Sequence, residues 1–221
     1  VAVASNALTT LATVLDELKL TSDGAAQDAR AERYIDAASA FLARECDRIF
    51  ERADAISEKK AGYGYNEIIL SRRPVVAVTS VTVNGAALSS SDYELRDIAS
   101  GIPGVLYRAG GWSWSAESLR AISSPALPGS EDREITVVYN GGWVTPQQNA
   151  DGLFSGAART LPADIEDACV LLVASRWRGR GTDYRARSRT YEGQQLTFGG
   201  VPVPHEVEGV IAQYRMIAQG S

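Results

Sequence analysis

The stretch 161–179, LPADIEDACVLLVASRWRG, restricts the possible folds of this chain more than any other. Pro162 suits the first turn of a helix, where its missing N–H would have no partner. Asp164, Glu166 and Asp167 follow at once, and Arg176 and Arg178 sit at the far end, the charge order a helix macrodipole favours. Gly179 can take a left-handed C-terminal cap. Between these ends, residues 168–174 are an unbroken apolar run. Ile165, Ala168, Cys169 and Leu172 make one face; Val170, Ala174 and Trp177 make another. A helix apolar nearly all round must have neighbours on most sides. They are either the rest of its own domain or, on one face, another subunit, and composition does not choose.

At 221 residues the chain can bury a substantial core. Its 45% hydrophobic and 22% charged residues are those of an ordinary globular protein. No apolar run approaches the ~20 residues a membrane helix needs, and the opening VAVASNALTT lacks the basic start of a signal peptide. A net charge of −5 argues against a surface built wholly to grip nucleic acid. The two cysteines, Cys46 and Cys169, lie far apart in helix-like stretches and read as buried free thiols of a reducing compartment.

Along the chain, Leu8, Leu11, Leu15 and Leu18 predict a short amphipathic helix with Ser5 or Asn6 as N-cap. A second helix is expected from about 26 to 52, with Tyr34, Ile35, Ala38, Phe41, Leu42, Cys46 and Ile49 on its apolar face. The period then changes. Ile68 to Leu70 begins an extended segment, residues 75–83 are rich in β-branched side chains, and Asn84-Gly85 is a strong hairpin signal. Return strands fit near Leu88 or 93–95 and at 105–107, and Ile135, Val137 and Tyr139 mark a last strand. Two long stretches, 110–133 with Trp112 and Trp114, and 146–160 with Phe154, read as irregular loops. Their aromatic residues either cover the domain's own core or touch a partner. After the anchor helix, Arg176, Arg178, Arg180, Arg185, Arg187 and Arg189 crowd a glycine-flanked segment that reads as an exposed arm. A final helix runs from His205 to about 218.

The expected class is α+β: mainly a helical bundle of about four helices with an inserted small antiparallel β unit and long loops. It comprises an N-terminal helical pair (5–55), the β unit (65–145), a central helix (161–178) and an arginine-rich arm with a C-terminal helix (179–221), all within one domain.

No catalytic constellation emerges. His205 is alone, no Cys/His cluster has metal spacing, and GYGYNE lacks the lysine of a phosphate loop. The carboxylate pairs Asp16-Glu17, Glu131-Asp132 and Glu166-Asp167 sit where helix starts or solvated turns put them. The arginine arm is the one strong electrostatic feature. It suits carboxylates on a protein partner, since arginine pairs them bidentately, better than sequence-specific DNA.

The order of parts resembles the phage head–tail connector (adaptor, head completion) family. The matching segments are YIDAASAFLARECDR, IILSRRPVVAVTSVTVNGAALSSSDYEL, ITVVYNGGW, LPADIEDACVLLVASRW and VPVPHEVEGVIAQYR, together about two-thirds of the chain. The inserts at 110–133 and 146–160 depart from the family's compact members. The resemblance implies no catalysis and no cofactor or metal. It implies a virion neck protein, made in the cytoplasm of a bacterial host. Such a protein forms a homo-oligomeric ring, commonly of twelve copies, between the portal and a stopper or tail protein, with packaged DNA passing through. On that basis Arg180, Arg185, Arg187, Arg189, Tyr191, Tyr214 and Arg215 are expected to meet the portal, and Trp112, Trp114, Phe154 and Trp177 to lie between subunits. The alternatives are a stopper or neck ring of the same particle, or a DNA-binding module using the arm.

Overall fold

The computed structural model describes residues 2–22, 25–61, 64–97, 102–112, 134–154, 158–179, 188–191, 194–197 and 203–215. It divides into two compact units: Val1–Glu51 with Val144–Ser221, and Arg52–Trp143.

The first unit is helical: α1 (Leu11–Glu17), α2 (Ala25–Glu45), α3 (Pro146–Ala150), α4 (Ala163–Arg178) and α5 (His205–Tyr214), with a two-stranded ladder of β8 (Ser188–Tyr191) and β9 (Gln194–Thr197). α1 begins later than its leucine spacing predicts. Its N-cap is Thr10, whose side chain accepts from the Thr13 N–H at 3.2 Å, and neither Ser5 nor Asn6 serves. Leu8 is nonetheless buried, held ahead of the helix by its N–H donating to Ser39 Oγ at 3.1 Å. α2 ends at Glu45 and not near 52, with Asp47 in the left-handed region. Ala31, Ile35, Ala38, Leu42 and Cys46 form its buried stripe, and Ile49, beyond the helix end, is exposed.

α4 is the centre of this unit. It packs against α1, α2 and α5 of the same chain, and Ile165, Ala168, Cys169, Val170, Leu172, Val173, Ala174 and Trp177 are all buried. At about 1.5–3 kcal/mol per large apolar side chain removed from water, this helix dominates the unit's core. Its own unit supplies the neighbours of these side chains, while Leu171 on the same helix stays exposed. Two terminal details differ from expectation. Pro162 is the N-cap and not the first helical residue, and Gly179 closes the helix in the right-handed region at φ −76°. The expected loop at 146–160 begins with α3, which carries a full capping box. Thr145 Oγ1 accepts from the Gln148 N–H at 3.1 Å, and Gln148 Oε1 accepts from the Thr145 N–H at 3.2 Å.

The second unit holds two antiparallel sheets. One has the order β1-β7-β3-β4, with β1 (Ala53–Ala61), β3 (Val75–Val83), β4 (Ala86–Ala87) and β7 (Glu134–Gly141). The other has the order β2-β6-β5, with β2 (Glu67–Ile69), β5 (Glu94–Asp97) and β6 (Pro103–Tyr107). Asn84 and Gly85, at φ 51° and 77°, form the predicted tight hairpin between β3 and β4. The core is Ile68, Leu70, Val75, Val81, Leu106, Trp112, Ile135, Val137 and Tyr139. The fold is therefore α+β, with strands a substantial share of it beside the helices: apart from a 3-10 turn at Ser90–Asp92, they build this unit's regular structure among the described residues.

Candidate functional site

The arginine arm starts where α4 stops. Arg180, Arg185 and Arg187 lie outside the described residues, as does Trp114. Arg189 and Tyr191 fall on β8, in register with Leu196 and Gln194. A ladder there was not expected of a segment that reads as an exposed arm.

Tyr214 and Arg215 are engaged within their own unit. Tyr214 donates its hydroxyl to Asp164 Oδ1 at 3.1 Å, and burial together with that carboxylate pushes the phenol up to about 12. Arg215 donates from Nε to the Glu45 carbonyl at 3.0 Å and lies 3.9 Å from Glu45 Oε2. The two side chains thus tie the end of α5 to α4 and α2.

The residues expected between subunits separate in the same way. Trp112 is 1% exposed and donates from its indole to the carbonyls of Leu106 (3.1 Å) and Asn66 (3.2 Å). Trp177 is buried, with its ring edge-on to Tyr34 at 6.2 Å. Both are core residues of their own units, because a face already removed from water has nothing left to offer a neighbour. Phe154 is half-buried.

Sequence reading missed a polar cluster around Glu58 on β1. Its carboxylate accepts from Tyr139 Oη at 2.6 Å, Lys60 Nζ at 2.7 Å, the Ser71 N–H at 3.0 Å and the Ser71 hydroxyl. Burial acts to raise its pKa, but the donors from Lys60, Ser71 and Tyr139 outweigh that and hold the carboxyl below its ordinary range. Tyr139, by contrast, is pushed up by burial and by its bond to Glu58. An ionised acceptor facing a protonated phenol has no proton to exchange near neutrality, so the cluster is a clamp joining β1, β7 and the turn at Ser71. Its one sequence signal is an acid on an inward position of a strand that itself went unrecognised.

The remaining candidate groups are no better placed for chemistry. Burial raises the Cys46 thiol to about 11 and the Cys169 thiol to about 12. Asp16 and Glu17 are exposed on α1, and His205 is exposed at the start of α5. Glu166 is buried, paired with Arg159, and accepts from Thr9 Oγ1 at 3.2 Å. Glu131 and Asp132 lie outside the described residues. Among the described residues, no group of three His, Cys, Asp or Glu side chains could hold a metal ion, and no helix is long and apolar enough to cross a membrane.

No family model matches the sequence, and no curated protein does. Solved structures do. A chain in the neck of an empty gene transfer agent (GTA) particle, computed with C6 symmetry, aligns at TM-score 0.52 and 18% identity. A chain in the neck of a native GTA particle, computed with C12 symmetry, aligns at 0.50 and 16%, and one in the virion of a native GTA particle at 0.51 and 18%. Each alignment covers 100% of this chain and 96% of the other. The fold of this chain, both units included, is one that chains of GTA necks and virions also adopt.

Proposed function

We propose that the chain is a structural neck protein of a phage-like particle: a ring-forming head–tail connector. It docks beneath the portal, joins it to a stopper or tail protein, and lets packaged DNA pass through the centre. The observation that carries this reading is the fold likeness to GTA neck chains over nearly the full length of both partners. The chemistry of the described side chains is compatible with it. The carboxylate cluster at Glu58 is a clamp, and the two thiols are buried and protonated.

The portal contact in this reading belongs to Arg180, Arg185, Arg187 and Arg189, whose density suits bidentate pairing with acidic residues. Mixing the purified chain with portal-bearing particles and imaging them by electron microscopy should reveal an added ring at the portal. Changing the four arginines to Ser should abolish docking while the far-ultraviolet circular dichroism stays unchanged. Particles that acquire no ring, or tails that attach in virions lacking this chain, would refute the connector reading.

A further inference from the structure

We propose that Asn84 is a self-modifying site, at which the chain converts its own asparagine to isoaspartate or aspartate with water as the only co-reactant. The Gly85 backbone nitrogen attacks the carboxamide carbon of the Asn84 side chain. A new C–N bond forms, the bond to the side-chain nitrogen breaks, and that nitrogen leaves as ammonia with the proton from Gly85. Water then opens the resulting five-membered imide. Opening at the backbone carbonyl leaves isoaspartate, and opening at the side-chain carbonyl leaves aspartate. Either product adds one carboxylate to the chain. Isoaspartate also puts an extra methylene into the main chain, so the turn no longer fits a two-residue loop.

The sequence holds an Asn-Gly pair twice, at 84–85 and at 140–141, and the structure separates the two. Asn84 and Gly85 are exposed at the hairpin tip, beyond a ladder that pairs only Thr82 with Ala87 and Val83 with Ala86. Among the described residues, nothing lies within 4 Å of the place a Cβ would take on Gly85, so the nucleophile is open to approach. The backbone is also poised. An imide ring holds ψ of its own residue at about −120°, which with a positive φ is the first central position of a type II′ turn. Asn84 already has φ 51°, and with Gly85 at 77° the turn is type I′. Turning the one peptide plane between them converts I′ to II′, and both types close the same two-residue hairpin. Glycine takes the negative φ this requires as readily as its present positive one. Asn140 lies instead within β7, where its Oδ1 accepts from the Ala55 N–H at 2.9 Å. Gly141 is buried and partnered by Ala53 on one side and Val75 on the other. A Cβ on it would stand 2.5 Å from the Arg72 carbonyl oxygen, so the peptide there is hemmed in.

Ageing the purified full chain at mildly alkaline pH, followed by peptide mass spectrometry, tests this. In the folded chain Asn84 should convert at least ~10-fold faster than Asn140, because a hairpin tip opens at little cost and a central strand only near global unfolding. In concentrated urea the two should convert at similar rates. Methyl transfer from S-adenosylmethionine by an isoaspartate carboxyl methyltransferase should rise on ageing. It should be lost in N84G, which suits the same turn and should keep the wild-type circular dichroism. Asn84 as resistant as Asn140 in the folded chain overturns the site, and so does methyl acceptance undiminished in N84G. A difference between the two asparagines that persists at full size in urea overturns the structural account of it.

Discussion

Glu58 is a single side chain whose environment sets a pH dependence for the fold. Its folded pKa lies below the ordinary value of 4.5, because the bonds from Lys60, Ser71 and Tyr139 exceed the burial that opposes them. Above 4.5 both folded and unfolded chains carry the charge, and the full stabilisation is present. As pH falls through 4.5 towards the folded value, the unfolded chain takes up a proton first and the stabilisation drains away. Glu58→Gln should therefore lower stability at neutral pH by roughly 1–3 kcal/mol and flatten the loss of stability on the acid side. Urea denaturation from pH 7 to pH 3 measures both effects. A Gln variant whose stability falls as steeply as the wild type's would remove Glu58 as the source. Gly141, two residues from Tyr139 along β7, serves the same clamp, since a Cβ there would stand 2.5 Å from the Arg72 carbonyl oxygen.

Among the elements, those whose side chains follow one period were legible in sequence. α4 is apolar round most of its circumference and β3 ends in Asn84-Gly85, so both are recoverable from pattern alone. β1 was not, because ADAISEKKA carries only one β-branched residue and exposes alternate polar positions to solvent. α3 was missed although Thr-Pro-Gln-Gln spells out a capping box, because five residues are too few to show a helical period. The candidate site was less legible still. Trp112 and Trp177 looked like partner contacts, yet the interior of each unit occupies them, and no local spacing distinguishes a core tryptophan from an interfacial one. α4 also carries a contact that sequence spacing could not reveal. Glu166, 6% exposed, takes Arg159 from the preceding segment and Thr9 from ahead of α1. Arg159 is itself 38% exposed and can turn to water, so Glu166→Ala loses chiefly the hydrogen bonds of the buried carboxylate and should cost about 1–3 kcal/mol in guanidinium denaturation. A change under about 0.5 kcal/mol would mean that solvent already screens the pair.

At the level of the whole molecule, a helical unit is interrupted by a β unit, and the interruption has tidy ends. The chain leaves at Glu51 and returns at Val144. Just inside, the Arg52 N–H donates to the Trp143 carbonyl at 2.8 Å, and β1 then runs antiparallel to β7 along its length. Replacing residues 52–143 with a short Gly-Ser linker should leave a soluble helical protein, because the join spans only the gap those two strands already bridge. Circular dichroism and amide dispersion would register it, and an aggregated or unfolded product would count against independent folding of the helical part.

That pairing at the threshold makes the β unit a cassette whose two chain ends are zipped side by side. A lineage could exchange, enlarge or reshape what lies beyond that stem without moving the points at which the chain leaves and rejoins the helical unit. Variation can thus accumulate in one unit of the chain while the other keeps its fold.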